Sequence, residues 1–250
     1  MIDVHCHLEQ PDYEKDREKV IEECKKEMTA IITCCAHPKD FNLTMKLVEK
    51  HKNFVYASVG LHPIYVKEIK QPELEKYLQT IADNKEKIVS IGEIGLDYHW
   101  IKDEHWQKKQ RELFMVMLQF AKEIGKPVTI HIRDAFEDAI KILEKSGVEK
   151  VHLHMYGGRK QLQRVLENGW MISQNTIILN SKTYRKIVRD TPITMLMTET
   201  DSPWLGFGQR NTPLAVKKVV KKISEIKKLD EKEVDVMTTR NAINFFNLKR

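Results

Sequence analysis

The sequence predicts a (β/α)8 TIM barrel with an extra C-terminal helix, on three observations. Eight short runs rich in Val, Ile and Thr, each too short for a stable helix, recur through most of the 250 residues. Amphipathic stretches separate them, so neighbouring strands are parallel, because each parallel crossover needs a helix. No Gly-rich phosphate loop follows the first run, as an open doubly wound sheet would ask.

In chain order the runs are MIDVH, TAIITCC, FVYASVG, KIVSIGEIG, PVTIHI, KVHLHM, GWMIS and ITMLMTET. Helical patterns lie at residues 14–28, 40–51, 72–84 and 135–147, the last stopping on Gly147, a residue suited to a helix end. A lysine-rich pattern follows at 216–228. The stretch Lys232 to Phe246, with Val234, Met237, Ala242, Phe245 and Phe246, predicts a terminal helix packed on the barrel.

Composition narrows the class. With 41% hydrophobic and 31% charged residues the chain can bury a substantial core. No run approaches the roughly 18 apolar residues of a membrane span, and the N-terminus has no basic region followed by an apolar one, so no signal peptide is expected. Cys6, Cys24, Cys34 and Cys35 form no CxxC, which is the free-thiol usage of a reducing cytoplasm. No linker or repeat divides the chain, so residues 1–250 are expected to form one domain. The net charge of +6 suits a polyanionic ligand without requiring one.

In such a barrel, chemistry gathers at the C-terminal ends of the strands. His5 and His7 close the first run, His62 follows the third, and Glu93 lies in the fourth. His131 ends the fifth run, His154 ends the sixth, and Asp201 follows the eighth. A single strand-end histidine is commonly only hydrogen-bonded. Four histidines and two carboxylates from five runs instead predict a metal centre of His5, His7, Glu93, His131, His154 and Asp201. Six ligands exceed the three plus water of one open catalytic zinc, and suit two divalent ions sharing a carboxylate, with Zn, Mn or Mg as the candidates.

The stretches DVHCHLE, VGLHP, IGEIGLDY, KPVTIHIRDA, HMYGG and TETDSPWL, then RNTP, span residues 3 to 213. In that order they resemble the TatD family of metal-dependent deoxyribonucleases, within the amidohydrolase superfamily. The resemblance implies that His5 and His7 hold one metal with Asp201, that Glu93 bridges, and that His131 and His154 hold the second. It places His62 beside the metals as a substrate contact. DNA is the implied substrate, with 3'-5' exonuclease action as one mode. Two departures stand out: HMYGG replaces a His-Cys-Phe-Ser-Gly type of motif, and GWMISQNTI lacks the usual Ser-Phe-Ser-Gly type of ending. Both alter the pocket wall, at Tyr156 and Gly157 in the first case.

Other residues carry two readings each. Arg133 either meets a substrate phosphate or pairs with Asp134 or Glu137. Arg210 and Asn211 either bracket substrate or serve their own loop, Asn211 as a cap. Asp97 and Tyr98 hold a ligand histidine or a loop. Trp204 stacks on a base or lids the mouth, and Cys6 is a packed thiol. The lysines at 217, 218, 221 and 222 attract nucleic acid or simply face water. By strand alternation Glu199 and Asp201 share a face, with Asp201 outermost. The expected chemistry is hydrolysis of phosphodiester bonds in DNA, with Glu93 and Asp201 as catalytic carboxylates and Asp201 taking the proton of the attacking water. His62, Arg133 and Arg210 are the substrate contacts, and no membrane or protein partner is implied. The rivals are a deacylase, amidase or lactonase acting on a small carbonyl substrate, and a nucleic-acid-binding protein without catalysis.

Overall fold

The computed structural model describes residues 1–249. The eight runs become eight strands: β1 Ile2–Cys6, β2 Ala30–Cys35, β3 Val55–Val59, β4 Ile88–Asp97, β5 Val128–Arg133, β6 Val151–Leu153, β7 Met171–Gln174 and β8 Leu196–Thr198. They pair in sequence order, each parallel to the next. The seam between β8 and β1 closes through side chains and strand ends. Thr198 Oγ1 donates to the Ile2 carbonyl at 2.8 Å and the Thr200 N–H to Asp3 Oδ1 at 3.0 Å. Beyond them the Asp201 N–H donates to the His5 carbonyl at 2.9 Å, and the His7 N–H to the Ser202 carbonyl at 2.8 Å. The result is a TIM barrel.

The helices are α1 Arg17–Lys25, α2 Phe41–Lys50, α3 Gln71–Asp83, α4 Glu104–Glu123, α5 Phe136–Ser146, α6 Leu162–Glu167, α7 Lys182–Asp190, α8 Val216–Lys227 and α9 Glu231–Phe246. Their buried faces explain why they form. On α4, Gln110, Leu113, Phe114, Met117, Leu118 and Ala121 recur at helical spacing and are buried, and Asp103 Oδ1 accepts the Trp106 N–H at 3.1 Å to cap its start. Gly147, at φ 67°, ends α5 in the left-handed conformation a Cβ disfavours. One core lies between sheet and helices. A smaller one sets Ala242 and Phe246 of α9 against Ile2, Val4, Ile32 and Met197, so α9 is the extra C-terminal helix packed on the barrel. Among the described residues no helix is long and apolar enough to cross a membrane.

Two register shifts fall where they matter. Along β1 and β2 the pairing runs from Asp3 with Ile31 to Cys6 with Thr33, so β1 carries an extra residue around His5. Along β4 and β5 it runs from Ile91 with Val128 to Ile94 with Ile130, an extra residue around Glu93. A bulge bends its strand and re-aims the side chain beside it.

Candidate metal centre

The bulge in β1 and the turn after it bring His5 and His7 together, with their Nε2 atoms 3.2 Å apart. Glu93 stands opposite, on the bulge of β4. Its strand lies tight against β5: a Cβ on Gly95 would sit 2.0 Å from the His131 carbonyl oxygen. Only glycine allows that approach, and it is what carries Glu93 and His131 into reach of each other.

The two oxygens of Glu93 face different histidines. Oε2 lies 3.6 Å from His5 Nε2 and 3.8 Å from His7 Nε2. Oε1 lies 2.7 Å from His131 Nδ1, 2.9 Å from His154 Nε2 and 3.5 Å from His62 Nε2. Asp201 joins the first group, with Oδ1 3.5 Å from His7 Nε2 and 3.7 Å from His5 Nε2. At 14% side-chain exposure Asp201 is the most open of the six residues.

Carboxylates stand behind three of these histidines. Glu9 Oε1 is 3.2 Å from His7 Nδ1, and Glu9 in turn accepts the Thr33 hydroxyl at 2.8 Å. Asp97 Oδ2 is 3.1 Å from His131 Nε2, while its Oδ1 accepts the Trp100 N–H at 2.8 Å, so Asp97 holds both a histidine and a loop. Glu199 Oε1 is 3.6 Å from His154 Nδ1. Such partners fix ring orientation and raise ligand basicity.

The electrostatics follow. Burial drives the Glu93 carboxyl upward, but His62, His154 and His5 around it outweigh that and hold it well below the usual range. Burial lowers His5. It also pulls on His7, His131 and His154, yet Asp201 and Glu9 lift His7, Asp97 and Glu93 lift His131, and Glu93 and Glu199 lift His154. His62 is pushed down to about 3 by burial. Its Nδ1 accepts the Ile64 N–H at 3.2 Å, so the neutral ring carries its proton on Nε2 and faces Glu93 as a donor.

These donors fit a metal. Two pairs of ring nitrogens, His5 with His7 and His131 with His154, each meet at 3.2 Å, where at most one nitrogen of a pair can donate to the other. Lone pairs and carboxylate oxygens converge, and the groups able to hold an ion are His5, His7 and Glu93; His5, His154 and Asp201; Glu93, His131 and His154; and His62, Asp97 and His131. Because His7, His131 and His154 are held above the usual histidine range, a metal must displace their protons. Its affinity is therefore expected to rise with pH through and above 6.5, with proton release on binding. Titration calorimetry of metal into metal-free protein, in two buffers of different ionisation heat, measures this; a heat independent of buffer would refute it.

The remaining residues are placed as follows. Arg133 lies over the Trp100 ring at 5.5 Å. Neither acid considered for it is its partner: Asp134 pairs with His99 at 3.1 Å and Glu137 with Arg164 at 3.1 Å. Arg210 grips Asp16 with two nitrogens, at 2.7 and 2.5 Å, and donates to the Asp12 carbonyl at 2.6 Å. Asn211 is buried and donates to the Thr200 carbonyl at 3.2 Å, tying its loop to the end of β8. The Tyr98 hydroxyl serves Asp138 and Arg111, away from the histidines. Trp204 is 47% exposed, its ring 4.8 Å from that of His7. Cys6 is a packed thiol, and Lys217 pairs with Glu27 at 2.9 Å.

Alternation does not describe Glu199 and Asp201, because β8 stops at Thr198 and Asp201 has φ 54°. Glu199 points inward, accepting from Asn175 Nδ2 at 2.9 Å and from the Ser173 hydroxyl. Glu9, Asn175 and Ser173 were not legible as parts of the site. The one hint for Glu9 is its place two residues beyond His7, continuing an alternation from His5.

Residues 2–247 match the family model described as TatD related DNase. Deoxyribonuclease TATDN3 of Homo sapiens is 31% identical, the alignment covering 98% of this chain and 94% of that protein. The uncharacterized metal-dependent hydrolase MJ1582 of Methanocaldococcus jannaschii is 36% identical, with 98% and 96% covered. Among solved structures, YJJV, a TatD homolog from Escherichia coli K12, superposes with a TM-score of 0.91 at 26% identity, covering 100% of this chain and 98% of its own.

Proposed function

The chain belongs to the TatD-related DNase family of the amidohydrolase superfamily and is a metal-dependent hydrolase, and from that premise we propose that it cleaves phosphodiester bonds in DNA with two divalent ions, removing nucleotides from the 3' end. The observation that carries the two-ion reading is Glu93, whose two oxygens address two separate histidine pairs as a bridging carboxylate does. The naming of the human relative as a deoxyribonuclease supports DNA as the substrate. Residues 1–250 act together as one catalytic domain in this reading, and four buried free thiols suit a reducing cytoplasm.

His5, His7 and Asp201 would hold one ion and His131 with His154 the other, Glu93 reaching both. Ions bound there supply positive charge to the phosphoryl oxygens and acidify a water. The chain's own groups do the rest. Asp201, the most open of the carboxylates and flanked by His5 and His7, takes the proton of the attacking water. Glu9, Asp97 and Glu199 keep His7, His131 and His154 aimed inward. His62 meets substrate by turning its one N–H from Glu93, and Arg133, free of any carboxylate partner among the described residues, meets a phosphate. Arg210 reaches substrate only by loosening its grip on Asp16.

Metal analysis joined to a nuclease assay tests the proposal. Purified protein should carry about two divalent ions per chain and should shorten 3'-protected and 5'-labelled strands differently, with only a shallow loss of affinity at raised salt because a barrel-mouth site touches few phosphates. Cleavage of a cyclic amide or lactone with DNA left intact would move the site to the small-carbonyl chemistry. DNA binding that survives metal removal with no turnover under any condition would make it a binding protein.

A further inference from the structure

Directly beneath the metal ligands the barrel interior is polar. Ser58, Ser90, Thr129, His152 and Ser173 are all buried to within 1% of full, yet they form one connected path. The Ser58 hydroxyl donates to the Gly92 carbonyl at 2.9 Å, and the Ser90 hydroxyl to Ser58 Oγ at 2.7 Å. Ser90 Oγ lies 3.1 Å from Thr129 Oγ1, which lies 3.3 Å from His152 Nδ1. His152 Nε2 lies 2.6 Å from Ser173 Oγ, and the Ser173 hydroxyl donates to Glu199 Oε2. Glu199 Oε1 then faces His154 Nδ1 at 3.6 Å.

The proton inventory along this path has one solution at its upper end. Both oxygens of Glu199 accept, Oε2 from the Ser173 hydroxyl and Oε1 from the Asn175 amide. Ser173 has one hydroxyl proton and gives it to Glu199, so toward His152 its oxygen is an acceptor. His152 must therefore carry its proton on Nε2, leaving Nδ1 to accept from Thr129. The other oxygen of Glu199 receives the Asn175 amide, whose own carbonyl is occupied by the Ile177 N–H at 3.0 Å and cannot exchange places with the nitrogen. From Thr129 upward every donor points toward Glu199, whereas Ser90 and Ser58 donate the other way, toward the Gly92 carbonyl, and the Glu199 carboxylate facing His154 Nδ1 at 3.6 Å favours the proton of His154 there. The His154 nitrogen that gives its lone pair to a metal is then Nε2, 2.9 Å from Glu93 Oε1, inside the centre. From the opposite end, α9 sets the edges of Phe245 and Phe246 against the His152 ring, with centroids 6.2 and 5.6 Å away, which holds its plane.

We propose that His152 is a positioning residue: through Ser173 and Glu199 it fixes the tautomer and orientation in which His154 offers Nε2 to a metal. The spacing His152-x-His154 echoes His5-x-His7, but the inner histidine of this second pair works through its neighbours and touches neither the ion nor the substrate. This inference rests on the metal-centre reading of His154.

The test reads metal affinity and spectrum, not turnover. Metal-free wild type, His152→Leu and His152→Gln are titrated with cobalt(II) against a chromophoric chelator, following the visible absorption of the bound ion. His152→Leu removes the donor to Ser173 and should weaken one of the bound ions by about 10-fold, the lower end of the effect of losing a ligand's own outer partner, because His152 acts through Ser173 and Glu199, with a change in its absorption. His152→Gln keeps an N–H directed at Ser173 and should recover most of that affinity and the original spectrum. Wild-type affinity and spectrum in His152→Leu, even with a lowered melting temperature, would overturn the proposal and leave His152 a packing residue. If His152→Leu does not fold, Ser173→Ala breaks the same path one step higher and is read in the same way. A wild-type protein that takes up no cobalt would overturn the metal centre itself, a failure distinct from that of the relay.

Discussion

Glu93→Gln is expected to empty the metal centre, not merely to slow it. The substitution keeps volume and shape, but it replaces a charged acceptor with a neutral amide having one acceptor and one donor end. Both oxygens of Glu93 are in use, one toward His5 and His7 and the other toward His131, His154 and His62. Whichever way the amide turns, one histidine group meets N–H in place of oxygen. Metal affinity should fall by more than about 10²-fold, beyond the range seen for losing a partner outside the ligand set, and turnover should fall with it. Metal-free protein gives an independent check. The histidines hold the Glu93 carboxyl well below its usual range although burial opposes them. A lowered folded-state value contributes stability that is present above the unfolded value near 4.5 and is lost as pH falls through the folded one. The variant should therefore be less stable than wild type near neutrality, with the gap closing in acid. Elemental analysis and denaturant unfolding at two pH values measure both effects. A variant that still holds its full metal complement would remove Glu93 from the bridging position.

Much of this was legible because the ligands are local features of the chain. His5, His131 and His154 stand at or just past the ends of β-rich runs, and the end of a parallel strand in a barrel is a defined place. The strands themselves could be read because each is a short apolar run between turn signals. The helix α4 was harder: its exposed face carries Met115 and Val116, which blur the contrast between buried and solvated sides. The residues that aim the ligands were mostly out of reach. Ser173 and Asn175 reach Glu199 from a neighbouring strand end, 26 and 24 residues away in sequence, and Thr33 holds Glu9 across a similar gap of 24. Local pattern has no access to such pairings. The bulges at His5 and Glu93 were hidden for a related reason, since an extra residue shows only against the register of the partner strand. Arg210 shows the opposite hazard. Its place after the Asp201 loop suggests substrate, but Asp16, 194 residues away, occupies its guanidinium.

Asp201→Asn should separate proton transfer from metal retention. Asp201 follows the end of β8 and is held there by its own backbone, which donates to the His5 carbonyl at 2.9 Å and accepts from the Trp204 N–H at 3.1 Å. Asparagine tolerates the left-handed conformation that this position requires, with φ at 54°, so the loop should keep its course. The amide oxygen can still meet the His5 and His7 side of the centre, where Oδ1 now lies 3.7 and 3.5 Å from the two Nε2 atoms. What the amide cannot do is take a proton. Turnover should therefore drop by at least about 10²-fold, the lower range for losing a positioned proton acceptor, while KM and the ion shared by Glu93, His131 and His154 change little. His131→Ala should behave the other way round. It removes a ring lying 2.7 Å from Glu93 and leaves Asp97 without its partner, so metal content falls first and excess metal restores part of the activity. Metal stoichiometry, melting temperature and kcat measured on both variants decide between the roles. Near-normal turnover in Asp201→Asn would mean that another group accepts the proton. The carboxylate left to consider would then be Glu93, whose lowered proton affinity makes it the poorer base.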